Sequence, residues 1–492
     1  MDIGYTFNWI SREIFGVPAY LVGIMTAIAL IASRKSWGDV LGGSLKATLG
    51  FIILGIGANA VIAAMTPLGL LITGVAPEGS KGVVPTNEAI TAIAAGNATV
   101  FADVAYAMFF GVLLSLVIAR LTPLRYVFLT GHHMLFMATV LTVVLLGQKV
   151  TDWLAILVGA VGLGTMMVVM PALAHPWMKR VTSNEPVAIG HFGTLGYILA
   201  GISGQIVGRG SKSTEEMEFP QGLRFLRDPM LGTAVAMVVI YLLMGIAYLV
   251  VQGEAAAVKN IGGSAVGGAG GYFAVLFNQA LVFGGGVAVI LLGVRTILGE
   301  IVPAFSGIAE RVIPGAVPAL DCPVTFPYAP NAVLVGFLSS VVGGLLGFFI
   351  LVAGLGSALA IPLILPGMVP HFFTGGTAGV FGNATGGRRG AVVGGFVNGL
   401  FITLFAAFLV PTMQAIGFQN TTFGDADFQW FGLLVGNLAR PGDVVAAILV
   451  IAACAVLIVF ASWWQKTRVE TGWVPGAGNA PVEARPPEAL AR

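Results

Sequence analysis

The chain is predicted to be an all-α polytopic membrane protein of about 11 membrane-crossing helices, with broken or re-entrant segments between them. Three observations predict it. Apolar residues make up 57% of the 492 residues and charged residues only 9%, against roughly 25% charge in a soluble domain. A chain so poor in charge, with a mean hydropathy of +0.94, cannot cover its surface in water, so lipid is its solvent. Apolar stretches near the roughly 20 residues a span requires recur along the whole sequence. Glycine, at 69 residues, is about twice its usual share, which favours close helix approach and interrupted helices over a simple anchor.

Composition also excludes. A net charge of +2 gives no footprint for nucleic acid. Cys322 and Cys454 sit in apolar surroundings and form neither a disulfide framework nor a metal motif; no metal or other cofactor is expected. The first 18 residues lack the basic start and small-residue cleavage site of a signal peptide.

Continuous candidate spans are 17–33, 47–66, 100–119, 127–147, 154–173, 231–251, 271–293, 332–355, 390–411 and 444–463. Shorter stretches at 66–98, 186–206, 312–331 and 357–385 carry Pro85, Gly190, Pro314, Pro323, Pro330 and Pro366, and read as broken or re-entrant. Segment 294–311, with Arg295, Glu300, Glu310 and Arg311 among apolar residues, predicts an interfacial amphipathic helix. The sizeable hydrophilic loop is 207–230. An outside N-terminus and a cytoplasmic C-terminus leave only Arg12, Lys81, Lys149, Lys259 and Arg440 outside, as the positive-inside rule requires. Five spans precede the hydrophilic loop and about five follow it. A repeated odd-numbered unit is inverted in the membrane; the loose match of Pro85-Thr-Asn87 with Pro330-Asn331 is either a trace of that repeat or chance.

Ionisable residues at membrane depth are functional candidates by default, and many spans with a few such groups imply a transporter. His132 and His133 lie in Leu129-Thr-Gly-His-His-Met-Leu-Phe136. Each either bonds a neighbouring helix or faces a ligand. Adjacent helical positions point ~100° apart, so the two serve one ligand only if the backbone breaks at Gly131, and His132 is favoured. His191 sits in a glycine-flanked stretch that suits a loop tip, and Asp321 between Pro318 and Pro323. Glu88 is either a site carboxylate or a solvated loop residue. His175 reads as interfacial; His371 is unassigned. With no Lys or Arg deep in a span, the solute is expected to be neutral or singly charged, such as a sugar derivative.

These stretches resemble the ascorbate-type membrane component (enzyme IIC) of the bacterial phosphoenolpyruvate-dependent sugar phosphotransferase system. The resemblance runs over roughly 17–463 and is carried by Leu129-Thr-Gly-His132, Ile189-Gly-His191, Gly293-Val-Arg295, Arg311-Val-Ile-Pro-Gly-Ala-Val-Pro-Ala-Leu-Asp321-Cys, Ala329-Pro-Asn-Ala-Val333 and Gly379-Val-Phe381. It implies a homodimer in the bacterial inner membrane, with an interface scaffold (1–65 and 231–311) and a substrate-carrying core (66–230 and 312–463) that moves against it as an elevator. Residues 464–492 are expected to be a disordered cytoplasmic tail. The resemblance further implies a substrate site at Asn87, Glu88, His132, His133, Phe136, His191, Phe192 and Asp321; separately, Asp321 or a site histidine is expected to accept the hydroxyl proton. Three positions depart from the family pattern: Glu88 stands where ascorbate-binding members have Tyr, and Phe136 and Phe192 where they have Gln. Two lost amides remove up to eight hydrogen-bonding sites, and ring faces replace them.

Every Cys and His lies in or beside an apolar segment. The phosphoryl carriers are therefore expected on separate polypeptides, a phosphocysteine IIB unit and a IIA unit, with IIB docking around 207–230 and Arg388-Arg389. The competing expectations are an ion-coupled carrier of a sugar-like solute without phosphorylation, and an intramembrane enzyme, which the lack of a metal-spaced motif disfavours.

Overall fold

The computed structural model describes Trp9 and residues 17–75, 83–85, 98–217, 229–261, 268–311, 313–413 and 422–479. Asn87 and Glu88 lie outside the described residues. The first half runs α1 (Pro18–Ala32), α2 (Trp37–Val75), β1 (Val83–Pro85), α3 (Ala98–Leu121), β2 (Tyr126–Phe128), α4 (Gly131–Gly147), α5 (Asp152–Val181), β3 (Ala188–Ile189) and α6 (Thr194–Val207). The second runs α7 (Pro229–Gln252), α8 (Glu254–Ile261), α9 (Gly268–Arg311), β4 (Val317–Leu320), a 3-10 turn (Cys322–Tyr328), α10 (Pro330–Ile350), β5 (Leu363–Leu365), α11 (Met368–Met413), α12 (Ala426–Leu438) and α13 (Asp443–Trp464).

Six helical stretches among the described residues are long and apolar enough to cross a bilayer; they lie in α2, α5, α9, α10, α11 and α13. Their outward faces carry the signature of lipid contact. Leu41, Leu45, Leu49, Ile52 and Ile56 form one exposed stripe on α2, and Val444, Ile448, Val459 and Phe460 stand exposed on α13. In water each such side chain would forfeit about 1.5–3 kcal/mol of burial.

Two helices outrun their predicted spans. At 1.5 Å per residue, α2 is about 58 Å long and α9 about 66 Å, against a hydrocarbon core of ≈ 30 Å. Segment 294–311 is therefore not a separate amphipathic helix but the continuation of α9, a single helix from Gly268 to Arg311. Its Glu300 is matched by Lys46 of α2 at 3.1 Å.

Helices α1, α2, α7 and α9 pack on one another; α6, α10 and α11 form a second group, joined by α3, α4, α5, α12 and α13. Between α2, α7 and α10 lies an apolar cavity of ≈ 570 Å³ bordered by Leu68, Ile240, Met244, Phe337, Val341 and Phe348. Glycine sets the α10–α11 approach: a Cβ on Gly336 would stand 2.6 Å from Gly379 Cα. Helix α11 is two legs. Gly387, with φ +56° and ψ −148°, turns the chain back so that the Gly382 and Gly390 backbones face each other. The tip carries Arg388, whose backbone N–H donates to Lys212 O at 2.8 Å and whose Nε donates to Ser213 O at 3.0 Å. The basic tip thus lies against the hydrophilic loop.

Five short strands interrupt the helices. β1 pairs in parallel with β5, and β2, β4 and β3 form a parallel sheet with β4 in the middle. Residues 465–479, expected to begin the disordered tail, instead fold back on the bundle. Trp473 packs edge-on against Trp177 and Trp464, with ring centroids 5.5 and 5.7 Å away. Arg180 Nη1 donates to Pro475 O at 2.7 Å, and Asn479 Nδ2 to Thr385 O at 2.6 Å. The aromatic surface of Trp473 offsets the ordering cost that a merely Pro-, Ala- and Glu-rich tail could not.

Candidate functional site

The three-stranded sheet builds the site. Its strands are parallel, so their C-terminal ends share one edge, and each end leads into a candidate residue: β2 into His132 and His133, β3 into His191, β4 into Asp321. Leu129 N–H donates to Ala319 O at 2.9 Å and Gly190 N–H to Leu320 O at 2.6 Å, which fixes the register to the last rung. Gly190 is required there, since a Cβ would stand 2.6 Å from the Ala319 carbonyl carbon.

His132 Nε2 lies 3.5 Å from Asp321 Oδ2, and His191 Nε2 lies 3.8 Å from Asp321 Oδ1. His133 also joins the cluster. Its ring centroid is 3.8 Å from that of His191 and 4.7 Å from that of His132, and its Nε2 is 3.9 Å from Asp425 Oδ2. The break before Gly131 is the reason: α4 starts there, so both histidines occupy its first turn. The cluster has a wet side and a dry side. The His132 side chain is 32% exposed, those of His133 and Asp425 2% and 3%.

Backbone amides set the tautomers. Phe192 N–H donates to His133 Nδ1 at 3.2 Å, and Gly193 N–H donates to His191 Nδ1 at 3.0 Å, with the Tyr197 hydroxyl 2.7 Å from the same nitrogen. A neutral imidazole that accepts at Nδ1 carries its proton on Nε2. Both Nε2–H groups therefore face carboxylates. This also bears on metal binding. His132, His133 and Asp321; His133, His191 and Asp425; and His191, Asp321 and Cys322 each bring ligand atoms within 4.8 Å. Every set includes His133 or His191, and a histidine that ligates through Nε2 must instead donate from Nδ1. In each set at least one histidine already accepts a backbone N–H at Nδ1.

Several helices begin at the cluster, and a helix N-terminus favours negative charge. Asp321 caps the 3-10 turn, its Oδ1 accepting from Cys322 N–H at 2.7 Å. Asp425 stands at the N-cap of α12, and α4 and α6 begin at the same cluster.

The two departing phenylalanines are placed differently. Phe136 is half-buried with its ring edge-on to His132, centroids 5.7 Å apart. Phe192 is fully buried, stacked on Phe128 at 4.8 Å and packed against Phe428. His371 lies elsewhere, its Nδ1 2.7 Å from Ser340 Oγ, and His175 packs on Tyr126. Sequence reasoning missed Asp425, Asp427, Tyr197 and Phe428. The available signal was the pair of carboxylates set between Phe423 and Phe428.

Apolar helices surround a cluster of hydrogen-bonding groups where helices break, the arrangement of a multi-pass membrane permease. The chain belongs to the family of PTS system sugar-specific permease components (EIIC-GAT), which matches residues 13–427. It is similar to the ascorbate-specific PTS system EIIC component of Mycoplasma pneumoniae, with 26% identity in an alignment 465 positions long that covers 85% of this chain and 69% of that protein.

Proposed function

We propose that the chain is the translocation subunit of a phosphotransferase system that imports L-ascorbate or a related sugar acid or polyol, phosphorylated at the cytoplasmic face by a separate IIB protein. The observation that carries it is the juncture of His132, His191 and Asp321 at one sheet edge, in a member of the sugar permease family. Nε2–H donors and carboxylate acceptors match vicinal hydroxyls, and the Phe136 ring covers an apolar sugar face.

The tautomers favour Asp321 over His133 and His191 as proton acceptor. His133 and His191 already spend Nδ1 on backbone amides and hold a proton on Nε2, so neither has a free lone pair. Asp321 does, and its side chain is 13% exposed at the cluster. Phosphorylation traps the product, because the dianion cannot recross the bilayer.

Two features of the fold support an elevator built on an inverted repeat. The group of α1, α2, α7 and α9 corresponds to the scaffold, and the group bearing the site to the moving core. Strand pairing is exchanged between halves: the first strand of the first half, β1, pairs with β5 of the second, and the first strand of the second half, β4, pairs with β2. A two-fold axis between the halves produces that pattern. A homodimer, an outside N-terminus and docking of IIB on Arg388, Arg389 and the adjoining loop complete the reading.

The test is direct. Purified protein is titrated with L-ascorbate, other sugar acids and hexitols. Vesicles bearing it are then given labelled substrate with and without phosphorylated IIB. Uptake with label recovered as the phosphate ester is expected; uptake of unmodified label means an ion-coupled carrier.

A further inference from the structure

We propose that Asp427 is a positioning residue for this site: it fixes the Gly190–Leu195 turn so that the Nε2–H of His191 faces Asp321. The inference rests on His191 being a substrate-binding residue. Asp427 is fully buried and contacts the turn from both sides of Gly193. Its backbone N–H donates to Phe192 O at 2.8 Å. Its carboxylate accepts from Thr194 N–H at 2.9 Å, from Leu195 N–H at 3.0 Å and from Trp430 Nε1 at 2.9 Å. Gly193, held between those anchors, is the residue whose N–H sets the His191 tautomer. The Thr194 hydroxyl closes the loop by donating to His191 O.

A helix cap alone would not need this arrangement. Caps come from the N-cap residue, and the N-cap of α6 is Gly193, which has no side chain. The carboxylate arrives instead from a distant segment. That segment also reaches the turn a second way: Asp425 faces His133, and His133 Nδ1 takes the Phe192 N–H. Both peptide groups of Phe192 are thus held by Asp427 or by the histidine that Asp425 faces.

Asp427→Asn keeps the volume and points an amide group at N–H donors. Diethylpyrocarbonate labelling with peptide mass spectrometry reads each histidine separately and needs no ligand. In the wild type, half-exposed His132 labels while His191 and His371 are protected. Loss of one charge-assisted buried hydrogen bond is expected to raise His191 labelling by about 10- to 100-fold, with His371, in its separate pair with Ser340, unchanged. If His191 stays protected in both Asp427→Asn and Asp427→Ala, or if His191 and His371 become reactive together, the positioning role is overturned. A double-mutant cycle gives the second readout. With L-ascorbate as probe, Asp427→Asn weakens binding in the wild-type background and adds nothing to His191→Ala; additive losses count against the proposal. If the wild type binds no ascorbate, the functional reading loses its probe while the labelling result still decides the positioning role.

Discussion

Asp321→Asn separates binding from chemistry. Asparagine is isosteric and keeps one oxygen for the Cys322 N–H, now accepted at 2.7 Å. What it removes is the charge that faces His132 Nε2 at 3.5 Å and His191 Nε2 at 3.8 Å. One charge-assisted hydrogen bond is worth about 1.5–3 kcal/mol, so the dissociation constant should rise by roughly 10- to 150-fold at 1.4 kcal/mol per decade. Loss of a general base costs a further factor of about 10² to 10⁴ in the chemical step. The assay is single-turnover phosphorylation of bound substrate by phosphorylated IIB in proteoliposomes, with affinity measured separately by calorimetry. A saturated rate equal to that of the wild type, whatever the affinity, would refute the base role and leave Asp321 as a binding group.

His132→Ala should weaken binding with little change in melting temperature, whereas His371→Ala should lower the melting temperature and leave binding intact, because His371 pairs only with Ser340 among the contacts described for it. Phe136→Gln should alter solute preference in a competition-binding panel, since its ring borders His132. Phe192→Gln, by contrast, buries an amide among Phe128 and Phe428 and should cost about 1–3 kcal/mol of stability, read as a lowered melting temperature. Val341→Trp fills the apolar cavity between α2, α7 and α10; transport in vesicles should fall while ascorbate affinity in detergent holds, and equal losses of both would count against relative motion there.

Much of the fold and site was legible because the membrane makes polarity conspicuous. His132, His191 and Asp321 stand out in apolar runs, and the Arg388-Arg389 break at the end of 357–385 marks the reversal at Gly387. Asp425 and Asp427 did not stand out. Only tertiary packing shows these two carboxylates buried against His133 and Thr194. The strands were illegible for a related reason. At two to four residues each, they are too short for alternation to register, and their pairing joins segments far apart in sequence. The extra length of α2 and α9 was masked by Lys46 and Pro67 in the one and Arg295 in the other, which read as boundaries.

The strands also explain how a site can exist at that depth at all. Irregular backbone leaves N–H and C=O groups that lipid cannot satisfy. Parallel pairing of β2, β4 and β3 satisfies them on one side, and on the other the N–H groups of Phe192, Gly193, Thr194, Leu195 and Cys322 are taken by the histidines and carboxylates of the cluster and its support. Those N–H groups favour carboxylates and hydroxyls without any Lys or Arg. Under the proposed phosphotransferase function, a cationic site would attract the phosphorylated product back. Because β4 from the second half is hydrogen-bonded to β2 and β3 from the first, His132, His191 and Asp321 cannot separate without breaking the sheet. If the proposed elevator operates, the site travels intact, with slippage where the contacts are apolar and non-directional, as they are along the cavity between α2, α7 and α10.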